Sequence, residues 1–179
     1  MIDYSLPLLG FCAYSGTGKT TLLKLLLPIL KHKGLRVAVI KHAHHSFDID
    51  HPGKDSYELR KAGAEQMLIA SRNRIAWVKE THKEPLLEET LAVLQHNVLD
   101  LVLVEGFKQA VFPKIELHRS NLGKPLMYPS DSNIIAIATD THLSDHEPMP
   151  VQLNLNQPAE IAGFIIETFM RQFITGISC

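Results

Sequence analysis

A chain of 179 residues, 45% of them apolar, is long enough to bury a sizeable core as one domain and is not a fragment that needs disulfide staples. Its 18 Lys and Arg balance 19 Asp and Glu to a net charge of −1 without any basic block, which argues against nucleic acid as the main partner. No run of about 18 apolar residues exists, which argues against a membrane helix; the two cysteines, Cys12 and Cys179, are too far apart in sequence for a disulfide framework and point to a reducing, cytoplasmic setting.

The apolar stretch Leu6 to Ala13 predicts a buried strand, and the leucine-rich stretch from Thr20 to Leu27 predicts a helix packed on it. Because the amino-terminal segment carries Asp3, lacks a basic region and runs directly into this pair, it reads as a core strand rather than a signal. Between strand and helix stands Ala13-Tyr14-Ser15-Gly16-Thr17-Gly18-Lys19-Thr20, the form of a nucleotide phosphate cradle. Gly16 and Gly18 let the backbone turn its N–H groups toward phosphate oxygens, and the helix start adds the positive end of its dipole. In this reading Ser15, Gly16, Thr17, Gly18, Lys19, Thr20 and Thr21 bind the phosphates. Lys19 reaches the β- and γ-phosphates, Thr20 ligates magnesium, and Thr21 is the candidate for the α-phosphate. Ala13 stands where the strict G-x-x-x-x-G-K-[ST] template has glycine, a small loss at a strand end.

The first helix is expected from Lys19 to Lys33 with a stop at Gly34, and Pro28 inside it predicts a kink. Leu35 to Lys41 predicts a second strand. The loop from His42 to Lys54 gathers Asp48 and Asp50, spaced to face one side of an extended segment and suited to hydrated magnesium. It also holds His42, His44 and His45, which suit a transition metal, an anionic substrate or a plain strand cap. Lys54, Asp55 and Arg60 lie just beyond, either near phosphates and a partner or as surface charges.

Asp55 with Glu58 has the form of a capping box opening a short helix that Gly63 closes. Gln66 to Ser71 and Ile75 to Glu80 read as strands around the tight connection Arg72-Asn73-Arg74, and Pro85 opens a predicted helix reaching Gln95. Leu99 to Val104 is a strongly apolar strand ending at Glu105-Gly106, where a carboxylate beside the first strand would serve the metal; a strand-end Glu facing water is the alternative. Lys114 to His118, alternating polar residues with Ile115 and Leu117, predicts a half-exposed antiparallel edge strand. Asn133 to Ala138 predicts a buried strand, and Asp140 after it occupies a place where a carboxylate can read a guanine edge or sit in a surface loop. A helix from Pro158 to Phe173 carries the apolar stripe Ile161, Phe164, Ile165, Phe169 and Phe173. Alternating strands and helices predict an α/β, mostly parallel sheet of the P-loop NTPase type, flanked by helices and with an antiparallel edge portion, as a single domain over residues 1–179.

Taken together, Ser15 to Thr21, Ile40 to His45, Asp48-Ile49-Asp50-His51-Pro52-Gly53-Lys54-Asp55-Ser56, Arg60 to Ala64 and Leu103 to Lys108 resemble the MobB family of molybdopterin-guanine dinucleotide biosynthesis adaptor proteins. The resemblance is strongest from Ser15 through Ala64, and the His-rich loop joined to the Asp-x-Asp segment is far more selective than the phosphate cradle. It implies a homodimeric GTP-binding protein with feeble hydrolysis that assists the guanylyltransferase attaching GMP to molybdopterin. Guanine, the dimer and the molybdenum cofactor come from the resemblance alone. The expected catalytic residues are Lys19, Asp50 and Glu105, and the expected metal-site residues are Thr20, Asp48 and Glu105. Two alternatives remain at this point: a small-molecule kinase using Asp50 or Glu105 as base, and a metallochaperone GTPase carrying nickel or zinc on the histidines.

Overall fold

The computed structural model of the chain describes residue 2 and residues 4–43, 47–144 and 149–175. Of the residues named above, Asp3, His44, His45 and Cys179 lie outside this set. The chain divides into two compact units, one of Met1–His42 with Thr90–Cys179 and the other Ala43–Glu89.

The first unit is built on a six-stranded sheet. Its strands are β1 (Leu8–Ala13), β2 (Val37–Lys41), β5 (Leu101–Glu105), β6 (Lys114–His118), β7 (Ile134–Thr139) and β8 (Val151–Asn154), in spatial order β2-β5-β1-β6-β7-β8. Every pairing in it is parallel. Strands covered on both faces read as apolar runs rather than alternations, which is why β1 and β5 were legible. β6 differs from its sequence reading: it is a central parallel strand beside β1, not an antiparallel edge. Its alternating polar residues are buried, Lys114 to 2% exposure and Glu116 to 1%. Lys114 donates to the Asp131 carboxylate (2.8 Å) and the Lys108 carbonyl (3.1 Å), and Glu116 accepts from the backbone N–H groups of Met127 (2.8 Å) and Tyr128 (2.9 Å). Buried charges persist only when paired in this way. β8 was not anticipated, because four residues give too short an alternation.

One face of the sheet carries Leu9, Phe11, Ala13, Leu103, Ile115, Leu117, Ala136 and Ala138 against helix α1 (Lys19–His32) and the carboxyl-terminal helix. Leu22, Leu23, Leu26 and Leu30 of α1 are the buried residues of that helix, each worth about 1.5–3 kcal/mol of transfer free energy. α1 runs unbroken through Pro28 and ends in a Schellman motif, with Gly34 N–H donating to Lys31 and Leu35 N–H to Leu30. The carboxyl-terminal helix is α4 (Pro158–Gly163), a π-helical stretch Phe164–Phe169, and α5 (Met170–Thr175). Ile161, Ile165 and Phe169, four apart along it, are all buried in the core.

In the second unit β3 (Gln66–Ser71) and β4 (Arg74–Lys79) form a two-stranded antiparallel hairpin, and α2 (Asp55–Lys61) precedes it. The expected capping box is altered: Lys54, not Asp55, is the N-cap, and Glu58 reaches back to accept from Gly53 N–H at 3.1 Å. The helix expected from Pro85 to Gln95 shortens to α3 (Leu87–Leu91), followed by a 3-10 turn at His96–Val98. Among the described residues no helix is long and apolar enough to cross a membrane.

Candidate functional site

The loop between β1 and α1 opens at the carboxyl end of a central strand, where β5 ends two residues earlier and β6 one residue later. Phe11 pairs with Glu105 on β5, and Ala13 with Leu117 on β6. Parallel strands place their carboxyl ends on one edge, and that edge is where α/β sheets bind ligands. Gly16 and Gly18 have φ of +84° and +96°, the left-handed region that only glycine adopts without strain. Thr17, 2% exposed, ties the bend down by donating from Oγ1 to the Tyr14 carbonyl at 2.9 Å. Gly18 is the N-cap of α1, without a side-chain cap and with no acidic residue in the first turn. The positive end of the 14-residue helix is therefore unopposed by any carboxylate of its own.

Lys19 and Glu105 meet at this edge, with Nζ 3.8 Å from Oε1 and both side chains largely buried. The Glu105 carbonyl accepts from His42 N–H (2.8 Å), which locks the end of β2 to the end of β5. Behind Glu105 the backbone turns sharply. Gly106 has φ +106°, and a Cβ there would lie 2.5 Å from His42 Cβ. Phe107 follows at φ +48°, the single non-glycine positive φ among the described residues, and its ring stacks on His42 with centroids 4.5 Å apart. Such strain in a bulky residue concentrates at ligand clamps and switches. His42, read from sequence as a possible metal ligand, here packs on an aromatic ring. Lys108 and Lys124 flank the Tyr14 ring at 5.9 and 6.0 Å, adding positive charge beside the bend.

The second unit assembles a separate cluster. Arg60 donates through Nη2 to Asp48 and Asp50, each at 2.6 Å, and through Nη1 to Glu80 at 2.8 Å. The Arg60 and Asp50 side chains are 8% and 7% exposed. Arg60, helped by Ser56, holds the Asp50 carboxyl below its ordinary range, and the three carboxylates, Asp50 foremost, push the guanidinium still further above its own. The two aspartates expected to bind a metal thus share one arginine. Among the described residues no group of three or more His, Cys, Asp or Glu has the arrangement of a metal site.

Sequence reasoning missed one network at the strand ends. Arg119, directly after β6, donates from Nε to the Thr17 carbonyl (3.0 Å), from Nη1 to Asp140 (3.3 Å) and from Nη2 to Asn156 (3.2 Å). Asp140 also accepts from Ser120 N–H at 3.1 Å, and this bond first, then Arg119, holds it below the usual carboxylate range. Both of its oxygens accept from protein donors, Arg119 on one and Ser120 on the other. The signal was a single Arg following a strand taken for an edge. Cys12 is a core thiol: burial, reinforced by Glu116, pushes it up to about 12.

A profile of the family described as molybdopterin guanine dinucleotide synthesis protein B matches residues 8–140. The molybdopterin-guanine dinucleotide biosynthesis adapter protein of Escherichia coli K12 is 46% identical over 170 residues, covering 93% of this chain and 95% of that protein. The adapter protein of Haemophilus influenzae is 42% identical over 172 residues, covering 96% and 94%. A crystal structure of molybdopterin-guanine biosynthesis protein B superposes with a TM-score of 0.69 at 27% identity, covering 89% of this chain and 98% of that one. With a parallel sheet, a glycine bend between β1 and α1, and relatives matched along nearly their whole length, the chain belongs to the molybdopterin guanine dinucleotide synthesis protein B family.

Proposed function

We propose that this protein binds magnesium GTP in the β1–α1 bend and acts as a cytoplasmic adapter in molybdopterin guanine dinucleotide biosynthesis, assisting the transferase that attaches GMP. The observation that carries the nucleotide reading is the bend that sets Gly16, Gly18 and Lys19 together, with Lys19 held 3.8 Å from Glu105 at the helix start. The adapter role follows the names of relatives at 46% and 42% identity.

The Thr20 hydroxyl, exposed on the first turn, and the Glu105 carboxylate are hard oxygen donors of the kind magnesium takes, so the residues fit that ion. Magnesium there neutralises phosphate charge. Lys19 leaves Glu105 for the phosphates when nucleotide enters, and the unopposed N–H groups of α1 bind phosphate oxygens. Hydrolysis is slow in this reading, because among the described residues beside the bend none is committed by motif to orienting water.

The homodimer is assigned to the β3–β4 hairpin. A two-stranded sheet alone is marginal in water, and this one exposes Leu68 (62%), Ile75 (70%), Ile69 (40%) and Trp77 (38%). Ile161, Ile165 and Phe169 of the carboxyl-terminal stripe are spent on the core.

The deciding experiment is competition of GTP against ATP in magnesium, with a pull-down of the transferase. GTP preference and nucleotide-dependent capture support the reading. Equal affinity for both nucleotides removes guanine, and wild-type protein that binds neither removes the site.

A further inference from the structure

We propose that Arg119 is a positioning residue for the phosphate cradle, holding the Thr17–Gly18 peptide in the orientation that presents the Gly18 N–H to phosphate. The inference rests on the nucleotide-binding reading and adds to it a residue outside the cradle motif.

The peptide plane supplies the reason. In a trans peptide the C=O and the following N–H point in opposite directions. Arg119 Nε fixes the Thr17 carbonyl at 3.0 Å, and thereby fixes the Gly18 N–H away from Arg119. Without that anchor the plane has more freedom to rotate, since Gly18, at φ +96° and without a Cβ, is not confined to one backbone region. A peptide flipped the other way would turn a carbonyl oxygen toward phosphate.

Arg119 is itself held from two more strand ends. β6, β7 and β8 lie side by side, with His118 opposite Thr139 and Thr139 opposite Asn154, so the residues that follow each strand converge. Asp140 takes one Nη1 bond and Asn156 one Nη2 bond, while Ser120 N–H, at 3.1 Å, and Ser120 Oγ, at 3.4 Å, occupy the other Asp140 oxygen. Asn156 is steadied in turn by its N–H donating to Asn154 at 2.9 Å. A planar guanidinium can satisfy three acceptors at fixed angles, and an ammonium cannot reproduce that fork. The arrangement therefore depends on arginine geometry and not merely on positive charge.

The test uses inorganic tripolyphosphate, which has no base, beside GTP, both with magnesium, on wild type, R119A and R119K. Both variants are expected to weaken binding of both ligands by about tenfold, the loss of one hydrogen bond to a charged group. Glycine-selective nitrogen labelling should show the Gly18 amide moving on tripolyphosphate addition in wild type and much less in either variant, a readout that a loss of stability alone does not change. R119K retains the stem and charge and keeps the test open where R119A folds poorly. Overturning results are R119K binding within twofold of wild type, or a loss for GTP without one for tripolyphosphate, which would place Arg119 on the base side. Wild-type protein that binds neither ligand sinks the nucleotide reading beneath the proposal, whereas wild-type binding matched by R119K sinks this proposal alone.

Discussion

Lys19 Nζ and Glu105 Oε1 lie 3.8 Å apart, one residue opening the helix that follows β1 and the other closing β5, the parallel neighbour of β1. The carboxylate occupies the cation that a phosphate would otherwise claim, so nucleotide binding has to exchange one anion for another. K19A is expected to raise the GTP dissociation constant by about ten- to hundredfold, the range for hydrogen bonds to charged groups. E105Q is expected to raise it about tenfold in magnesium and not in EDTA, because the amide is a poor magnesium ligand but frees Lys19. Calorimetric titration in the two buffers checks both, and an equal effect of E105Q in both would remove Glu105 from the metal.

Gly106 should be the least replaceable glycine outside the cradle. An alanine there combines φ +106° with a clash against His42 Cβ, whereas alanine at Gly34 meets open space at φ +87°. G34A is expected to cost about 1–2 kcal/mol of stability from the left-handed backbone alone, and G106A about 1–3 kcal/mol more from the added collision. Urea midpoints for the two variants, compared at equal m-value, decide the order.

Acid stability should carry the signature of Asp100. The Arg36 side chain binds both Asp100 oxygens, at 2.9 and 2.7 Å, and with the Arg36 N–H holds that carboxyl down to about 2. A depressed carboxyl contributes stability above its unfolded value, near 4, that is lost as pH falls through the folded value. D100N should therefore lower the urea midpoint at pH 7 and lose the fall that wild type shows between about pH 4 and 2 from this group. Glu116 has the opposite sign, since burial raises it, and E116Q alters the pH dependence above its ordinary value instead.

Charge on the hairpin should disperse the dimer. I75E or W77K places a charge on an apolar face, and sedimentation should show monomer at concentrations where wild type is dimeric, with GTP affinity changed less than twofold. Dimers retained by both variants would move the seam elsewhere.

The cradle was legible because its physics is local. Two glycines two apart, then Lys-Thr, between an apolar run and a leucine run, define strand, bend and helix within a span that no distant residue has to complete. Gly34 likewise stopped α1 where its positive φ was needed. Glu105 was legible from the strand it ends, although its pairing with Lys19 was not.

What tertiary structure decided is the fate of polar residues. Lys114 and Glu116 read as a half-exposed edge because alternation cannot distinguish water from buried partners; Asp131 and the N–H groups of Met127 and Tyr128 turn the same residues into the centre of a parallel sheet. In the chain Arg60 was open between a phosphate or partner role and a surface charge, and Arg119 carried no signal of its own; folding gives each three acceptors. A motif of contiguous residues carries its geometry in the backbone that joins them, but a buried charge is stable only through groups that lie far away in sequence, and only the packed chain determines which those are.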